Sequence, residues 1–562
     1  MNEKSSTPSS SSSSSSFSLS PKGGLSDLTI LKIITHIEYN QDIVCLLMTC
    51  KAYYKEFMKQ YAKVITFKDI DPTSIASPSE MTMIGSSMKP FKEIYNSSLV
   101  ALQNTDDDDQ DFITLTKTST KEDIKEIKNP TKFYLQEYQG EIKDVLLPSV
   151  NTIVIEIRPV IPPFPTISEW SSCATLTKLS IRSHRVLPIG LQFPATLTEL
   201  DINYYCRDFF TLDLTNLKSL TDLNVDTNRQ DLVPATDILL PNPNTSLTTL
   251  TLVVHLDPST MKQSFFPTNL KEIDMKYESF GKTKPPPTVQ KMTISTKSRI
   301  PTFFYPKSLV DLSIHLDNTT LEPWSLPYGL KILLITNYEC PVSPAFVPDT
   351  VVDLCVNVSN PIHSTFPRGL VKFITSTNYN SPLKYPPTLR KLYFLRDKYP
   401  PPVIYLPTSL YKFSFSIKRN NDTLVYTLPT TKVINNDNST ITDNPLHFVL
   451  PHRLNKLEFQ LLGDLETQKD FSIRIDQIIN CSNVEHLHID TPYSSLYLNI
   501  RRLDNGDVMI NSGGSFFGGI YRQQHGTKNQ SPLDYPALYL NFKLNGNHFN
   551  VYPSNTPIKF NH

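Results

Sequence analysis

Among the twelve histidines of this 562-residue chain, one close pair invites a chemical reading: His486 and His488, followed by Asp490. At alternate positions of a strand the three side chains share one face, and imidazole and carboxylate are both zinc ligand types. No further ligand follows from spacing, and a flat sheet face does not enclose an ion, so no metal is assigned. The run Gly513-Gly514-Ser515-Phe516-Phe517-Gly518-Gly519 suggests a phosphate cradle, but no Lys-Ser/Thr follows the glycines and no strand-to-helix frame surrounds them. Asp106 to Asp109 with Asp111 lacks the alternating ligands and Gly turn of a calcium loop and reads as a solvated loop. The chain has no Gly-x-Ser-x-Gly elbow, no Walker phrase and no Cys and His pair in a supporting motif. It is expected not to be an enzyme and to need no cofactor.

The bulk numbers point the same way. Lys and Arg total 54 against 54 Asp and Glu, which leaves no net field to attract nucleic acid or an anionic membrane. The seven cysteines (45, 50, 173, 206, 340, 355 and 481) form no Cys-x-x-Cys pair, which favours a reducing compartment. No apolar run approaches a membrane span and no apolar leader opens the chain, so a cytoplasmic or nuclear protein is expected.

What positions the remaining polar residues is a repeated phrase, Pro-x-x-Leu-x-x-Leu-x-Ile. It stands at Pro194 (Leu197, Leu200, Ile202), Pro267 (Leu270, Ile273, Met275), Pro306 (Leu309, Leu312, Ile314) and Pro327 (Leu330, Leu333, Ile335). It returns at Pro348, Pro386, Pro407 and Pro451, with weaker copies at Pro287, Pro367 and Pro429. From Leu309 the first apolar position recurs at 330, 351, 370, 389 and 410, a solenoid period of about twenty residues. The last two apolar positions alternate with polar ones and so face one side of a short strand, while the proline blocks a helix before it. One such unit buries too little to offset the entropy of ordering itself; stacked units cover one another. The fold class expected is mainly β: a leucine-rich-repeat-like solenoid with short strands and irregular proline-rich connections, preceded by a small helical segment.

With the apolar phrase inside, the intervening residues point onto a concave face. They are acidic toward the N-terminal end (Glu199, Asp201, Asp222, Asp226, Glu272, Asp274) and more basic toward the C-terminal end (Lys372, Lys391, Lys412, Lys456), with Asp311 and Asp353 between. This polarity would orient a protein partner of complementary charge; ordinary solvation of a sheet face is the alternative. Between the strands stand Tyr338-Glu339-Cys340-Pro341-Val342, Val358-Ser359-Asn360-Pro361-Ile362 and Tyr379-Asn380-Ser381-Pro382-Leu383. Together with the leucine phrase, over roughly residues 170–490, these resemble the FNIP repeat, a leucine-rich-repeat-like unit with an aromatic-Asn-x-Pro-Ile signature.

Residues 1–24 carry a serine tract with nothing to bury, expected as a disordered tail. Residues 25–61 then give three helical patterns: Ile30, Ile33, Ile34, Ile37; Ile43, Leu46, Leu47, Cys50; Tyr54, Phe57, Met58, Tyr61. Ser26 and Asn40 stand where N-caps belong. This segment resembles an F-box, with Leu25, Leu28, Ile33, Ile37, Asp42, Ile43, Leu46, Cys50, Lys51 and Tyr54 on matching positions and Ser26 where the family has proline. The resemblance implies docking on a Skp-type adaptor and so on a cullin-RING ubiquitin ligase. Leu25, Leu28, Ile33, Ile37, Ile43, Leu46 and Tyr54 would be the adaptor-binding residues, and the repeats would present the substrate. The alternative is a repeat scaffold in which the helices are only a cap. Residues 62–145 are expected as linker and N-terminal cap, 146–490 as the solenoid and 491–562 as a C-terminal β cap. In that last part Asn505-Gly506 supplies a hairpin turn covering the final strand edge.

Overall fold

Most of the proline-leucine phrases fold as a turn followed by a rung, whereas the copy at Pro429 leads into Thr430–Ile434, which pairs with Val403–Pro407 in a separate two-stranded sheet. The proline carbonyl accepts a hydrogen bond from the N–H three residues on: Leu197 to Pro194 (3.2 Å), Leu309 to Pro306 (3.2 Å), Leu389 to Pro386 (3.1 Å), Leu454 to Pro451 (2.9 Å). This is a β-turn with the proline at its first position; where a second proline follows, as at Pro287 and Pro387, its fixed φ pre-sets the next position. In the weaker copy the accepting residue is Pro286, one before the expected Pro287. Just beyond each turn two successive N–H groups share one carbonyl of the preceding rung, as Val310 and Asp311 do on Gln290 at 2.8 and 3.0 Å. A hydroxyl in the turn adds a further tie: Thr196 donates to Leu176 O (2.6 Å), Ser308 to Val289 O (2.6 Å) and Ser409 to Leu389 O (2.7 Å).

The computed structural model describes residues 25–38, 40–48, 52–68, 91–103, 112–157, 167–170, 173–185, 187, 190–206, 211–227, 232–241, 246–257, 259–262, 264–277, 283–301, 303–316, 321, 325–338, 347–358, 366–375, 384–395, 403–418, 425–426, 428–434, 448–462, 470–491, 495–503, 506–512, 518–523, 536–545 and 548–556. The serine tract, Cys50, Lys51, the Asp106–Asp111 run, Asn505 and most of the aromatic-Asn-x-Pro segments lie outside these residues, as does Gly513–Phe517.

The chain divides into two units. The larger, residues 107–500 with 523–562, carries the repeats. Its strands form a parallel ladder that begins at Ile113–Leu115 and Lys132–Gln136, within the stretch expected as linker and cap. The ladder runs rung by rung through Glu199–Tyr204, Asp311–Leu316 and Lys412–Lys418 to His486–Asp490. Equivalent positions pair across neighbours, so Leu312, Leu333, Leu354, Phe373, Leu392, Phe413 and Leu457 form one buried column. A one-residue slip would turn that column to solvent, which is why the register holds across the ladder. The result is a leucine-rich-repeat-like solenoid.

The last parallel edge is covered by Ser495–Arg502, antiparallel to His486–Asp490. Elsewhere in this unit Phe471–Arg474 pairs antiparallel with Tyr539–Asn545, which pairs in turn with His548–Ser554.

The smaller unit joins residues 1–106 to 501–522. Asp27–His36, Asn40–Met48 and the turns over Tyr53–Tyr61 are helical, and a fourth helix, Lys92–Gln103, joins them. Ser26 caps the first helix, accepting from the Thr29 N–H at 3.2 Å. Asn40 has a different task from the cap expected of it. Its amide accepts from Lys68 N–H (2.8 Å) and donates to Lys68 O (2.7 Å), fastening a segment 28 residues on. The Lys68 ammonium in turn donates to Thr35 O and Ile37 O, at the carbonyl end of the first helix where a cation is favoured. Buried Ser98 holds Phe67 N–H at 2.8 Å. The hairpin Asp507–Ser512 with Gly518–Arg522 belongs here too: Met509 is fully buried among Ile30, Ile34, Ile43, Leu47 and Phe57, and Ile520 packs against them.

Candidate protein-interaction site

Two surfaces carry the residues of interest, one on each unit. On the helical unit, Ile30 and Ile34 fill the core while Leu25, Leu28 and Ile33 remain 53%, 78% and 37% exposed. Leu28 and Ile33 are five residues apart and diverge by about 140° around the helix, so the exposed residues are not one stripe. Ile37, Leu46 and Tyr54 are half-buried against the core, Tyr54 beside Phe91 with ring centroids 6.1 Å apart. Ile43, expected among the adaptor-binding residues, is fully buried and serves as core. Cys45 lies in the same unit, its Sγ 3.7 Å from the Met509 sulfur, and burial pushes its thiol up.

On the repeat unit, strand alternation sends the leucine phrase inward and leaves two in-register rows outward. The first row contains Glu199, Asp222, Thr249, Glu272, Lys291, Asp311, Ile332, Asp353, Lys372, Lys391, Lys412 and Lys456 on successive rungs. The second contains Asp201, Asn224, Thr251 and Asp274, and farther along Leu334, Cys355, Ile374, Tyr393, Ser414 and Glu458. Asp226 stands one step beyond, in register with Asn203.

The acidic rungs are partly neutralised by their neighbours. Lys178 meets Glu199 at 2.7 Å and Lys291 meets Glu272 at 3.1 Å, while the Asn203 and Asn224 amides donate to Asp201. Burial, with the Asp226 charge added, pushes the Asp274 carboxyl above the ordinary carboxylate range. Asp311 is raised too, first by burial.

The basic end is arranged differently. Lys372, Lys391, Lys412 and Lys456 face one another across consecutive rungs. Rungs are about 4.8 Å apart, a spacing at which like charges repel. Asp353 takes Lys372 at 2.8 Å, and Glu458 takes Lys412 at 2.9 Å. Lys412 also lies over the Tyr393 ring, 5.1 Å from its centroid. His488 facing it and then Lys412 hold the Glu458 carboxyl down at about 2, against the opposing effect of burial. The imidazole contact, at 3.6 Å, is long for a hydrogen bond, and the ammonium is the nearer partner. Lys391 and Lys456 are exposed and have no ion pair among the described residues.

The histidine pair is absorbed into this face. His486 Nδ1 is 2.9 Å from Asn499 Oδ1, and His488 stacks on Tyr497 with centroids 4.1 Å apart. Asp490 accepts from the Gln460 amide and the Ser495 hydroxyl. Among the described residues no group of three His, Cys, Asp or Glu side chains is placed to hold a metal, and no helix is long and apolar enough to cross a membrane. Cys45, Cys173, Cys206, Cys355 and Cys481 are free thiols. Burial first, with Asp353 beside it, pushes the Cys355 thiol up to about 11, so at neutral pH it lines the face as a small apolar group.

Reading single strands singled out the charged positions but missed the apolar stretch Leu334, Cys355, Ile374 and Tyr393. Writing the repeats one under another by their leucines brings it out, because equivalent positions become neighbours. No family model matches the chain, and no curated protein matches it. Among solved structures, YopM from Yersinia enterocolitica WA-314 matches at 16% identity over 70% of this chain and 74% of that one, with a TM-score of 0.26.

Proposed function

We propose that this chain is a non-enzymatic protein-interaction protein of the FNIP-repeat type, acting as the substrate receptor of a cullin-RING ubiquitin ligase. The repeat face holds the substrate, and the F-box-like helical unit holds a Skp-type adaptor. The observation that carries the binding role is the register itself: about twenty-residue units whose outward positions form continuous rows on one face, a broad surface of the kind that proteins engage. For the adaptor, the supporting observation is that Leu25, Leu28 and Ile33 stand uncovered while Ile30 and Ile34 are used inside the unit. Affinity capture of the full chain tests it. A Skp-type adaptor is expected with wild type and lost from a Leu25→Ser, Leu28→Asp, Ile33→Asp variant that keeps the wild-type circular dichroism. Recovery of the adaptor at wild-type level by that variant would refute the docking role.

A second reading has its own support. The helical core is completed by Met509 and Ile520 from a hairpin distant in sequence, which suits helices whose work is structural. Under it the chain is a free-standing binding scaffold, and no adaptor is captured by wild type or variant.

A further inference from the structure

Four lysines in consecutive register are an unfavourable arrangement for a free sheet, and only two of them have a carboxylate beside them among the described residues. The uncompensated pair, Lys391 and Lys456, flanks Lys412 on either side along the ladder. On the adjoining row Ile374 and Tyr393 stand beside Lys372 and Lys391, Ser414 and Glu458 stand beside Lys412 and Lys456, and the row continues from Ile374 the other way through Cys355 and Leu334. Leu334, Cys355, Ile374 and Tyr393 are all only half-buried, and Ile332, on the Leu334 rung, is 39% exposed. An aliphatic stretch thus leads into a stretch of excess positive charge along the ladder, the two overlapping at the Lys372 and Lys391 rungs.

We propose that this part of the face binds an acidic peptide segment bearing aliphatic side chains, its carboxylates meeting Lys391 and Lys456 and its aliphatic groups covering Leu334 and Ile374. The assignment rests on the reading of the repeat face as a protein-binding surface and names the chemistry of what it takes. Positive charge alone would suit any polyanion. The aliphatic row separates the candidates, because single-stranded nucleic acid is held by aromatic platforms for its bases. Here Tyr393 lies under the Lys412 ammonium, and His488, farther along the row, is already stacked on Tyr497. From the Leu334 rung to the Lys456 rung the ladder spans five rung intervals, about 24 Å, a reach that roughly seven or eight extended residues cover.

The test is a fluorescence-anisotropy titration of the full-length protein with a labelled peptide of repeated Glu-Glu-Leu triplets. Comparison probes are the Gln-Gln-Leu and Glu-Glu-Ser peptides and a single-stranded RNA of equal charge. The Glu-Glu-Leu peptide is expected to bind best, more weakly as salt is raised. Lys391→Glu with Lys456→Glu is expected to weaken it about tenfold, and Ile374→Ser about fivefold. Both lysines are exposed; Lys391→Gln with Lys456→Gln, which adds no new charge, should give a smaller loss in the same direction. Absence of binding, equal binding of the Gln-Gln-Leu peptide, tighter binding of the RNA, or wild-type affinity in the lysine variants overturns the proposal. Adaptor capture is read separately: a chain that takes the adaptor but ignores the peptide defeats this inference alone, and the reverse outcome defeats only the ligase reading.

Discussion

Replacing Glu458 by Gln keeps the shape of the side chain and its hydrogen-bonding capacity but removes one of the two carboxylates that, among the described residues, the four-lysine ladder has beside it. The Glu458 carboxyl sits at about 2 in the folded protein against an ordinary value of 4.5. Taken in full, that displacement would contribute about 3 kcal/mol at neutral pH. The side chain keeps 28% of its exposure and its Lys412 partner 27%, so solvent screening reduces the expected loss to about 1–2 kcal/mol. Because the folded value is depressed, the stabilisation is complete above about pH 4.5 and disappears as pH falls through about 2. Repeat arrays open locally, so the assay is amide hydrogen exchange over Lys412–Lys418 and Lys456–Leu462. Glu458→Gln should exchange about 5- to 30-fold faster there at neutral pH. The difference should shrink at high salt, where the Debye length falls to about 3 Å, and close by about pH 2. Equal exchange at neutral pH, or a difference that persists undiminished in acid, would refute the assignment of Glu458 as counter-charge to the ladder.

Phe413→Ala removes a fully buried ring stacked on Phe415 (centroids 4.8 Å apart) and edge-on to Phe394 (5.9 Å). It should cost about 3–5 kcal/mol, seen as lost exchange protection in its own and adjacent rungs first. Asp274→Asn should leave the protein as stable as wild type or stabler by up to about 1 kcal/mol at neutral pH in urea titration. The folded carboxyl is raised, so its penalty is full above the folded value and vanishes below the ordinary 3.8, where the two proteins should coincide.

The repeat unit was legible because every clue to it is local. Pro306, Leu309, Leu312 and Ile314 each do within one unit what their spacing announces, and stacking only multiplies it. The alternation that hides Leu312 also exposes Asp311, so the charged rows followed once the period was known. What escaped depends on contacts between residues far apart in sequence. Nothing near Asn40 reveals that Lys68 will occupy its amide, and nothing near Met509 reveals that it will pack against Ile43. Lys92–Gln103 was missed because it is less apolar than the first two helices, and the bond that ties it down, from Phe67 to Ser98, joins residues 31 apart. Ile43 shows the limit of carrying roles over by resemblance: an apolar residue at a matched position serves the unit's interior as readily as a partner.

The placement of Met509 and Ile520 in the helical core also sets a timetable for biosynthesis. The helices leave the ribosome first, but the hairpin that completes their interior follows about four hundred residues later, tens of seconds at ordinary elongation rates. Through that interval Ile30, Ile43 and Phe57 wait with part of their packing missing while rung after rung is laid down behind them. A nascent chain halted before Asn505 would therefore lack the two side chains that finish the helical core, and emergence of the hairpin would supply them.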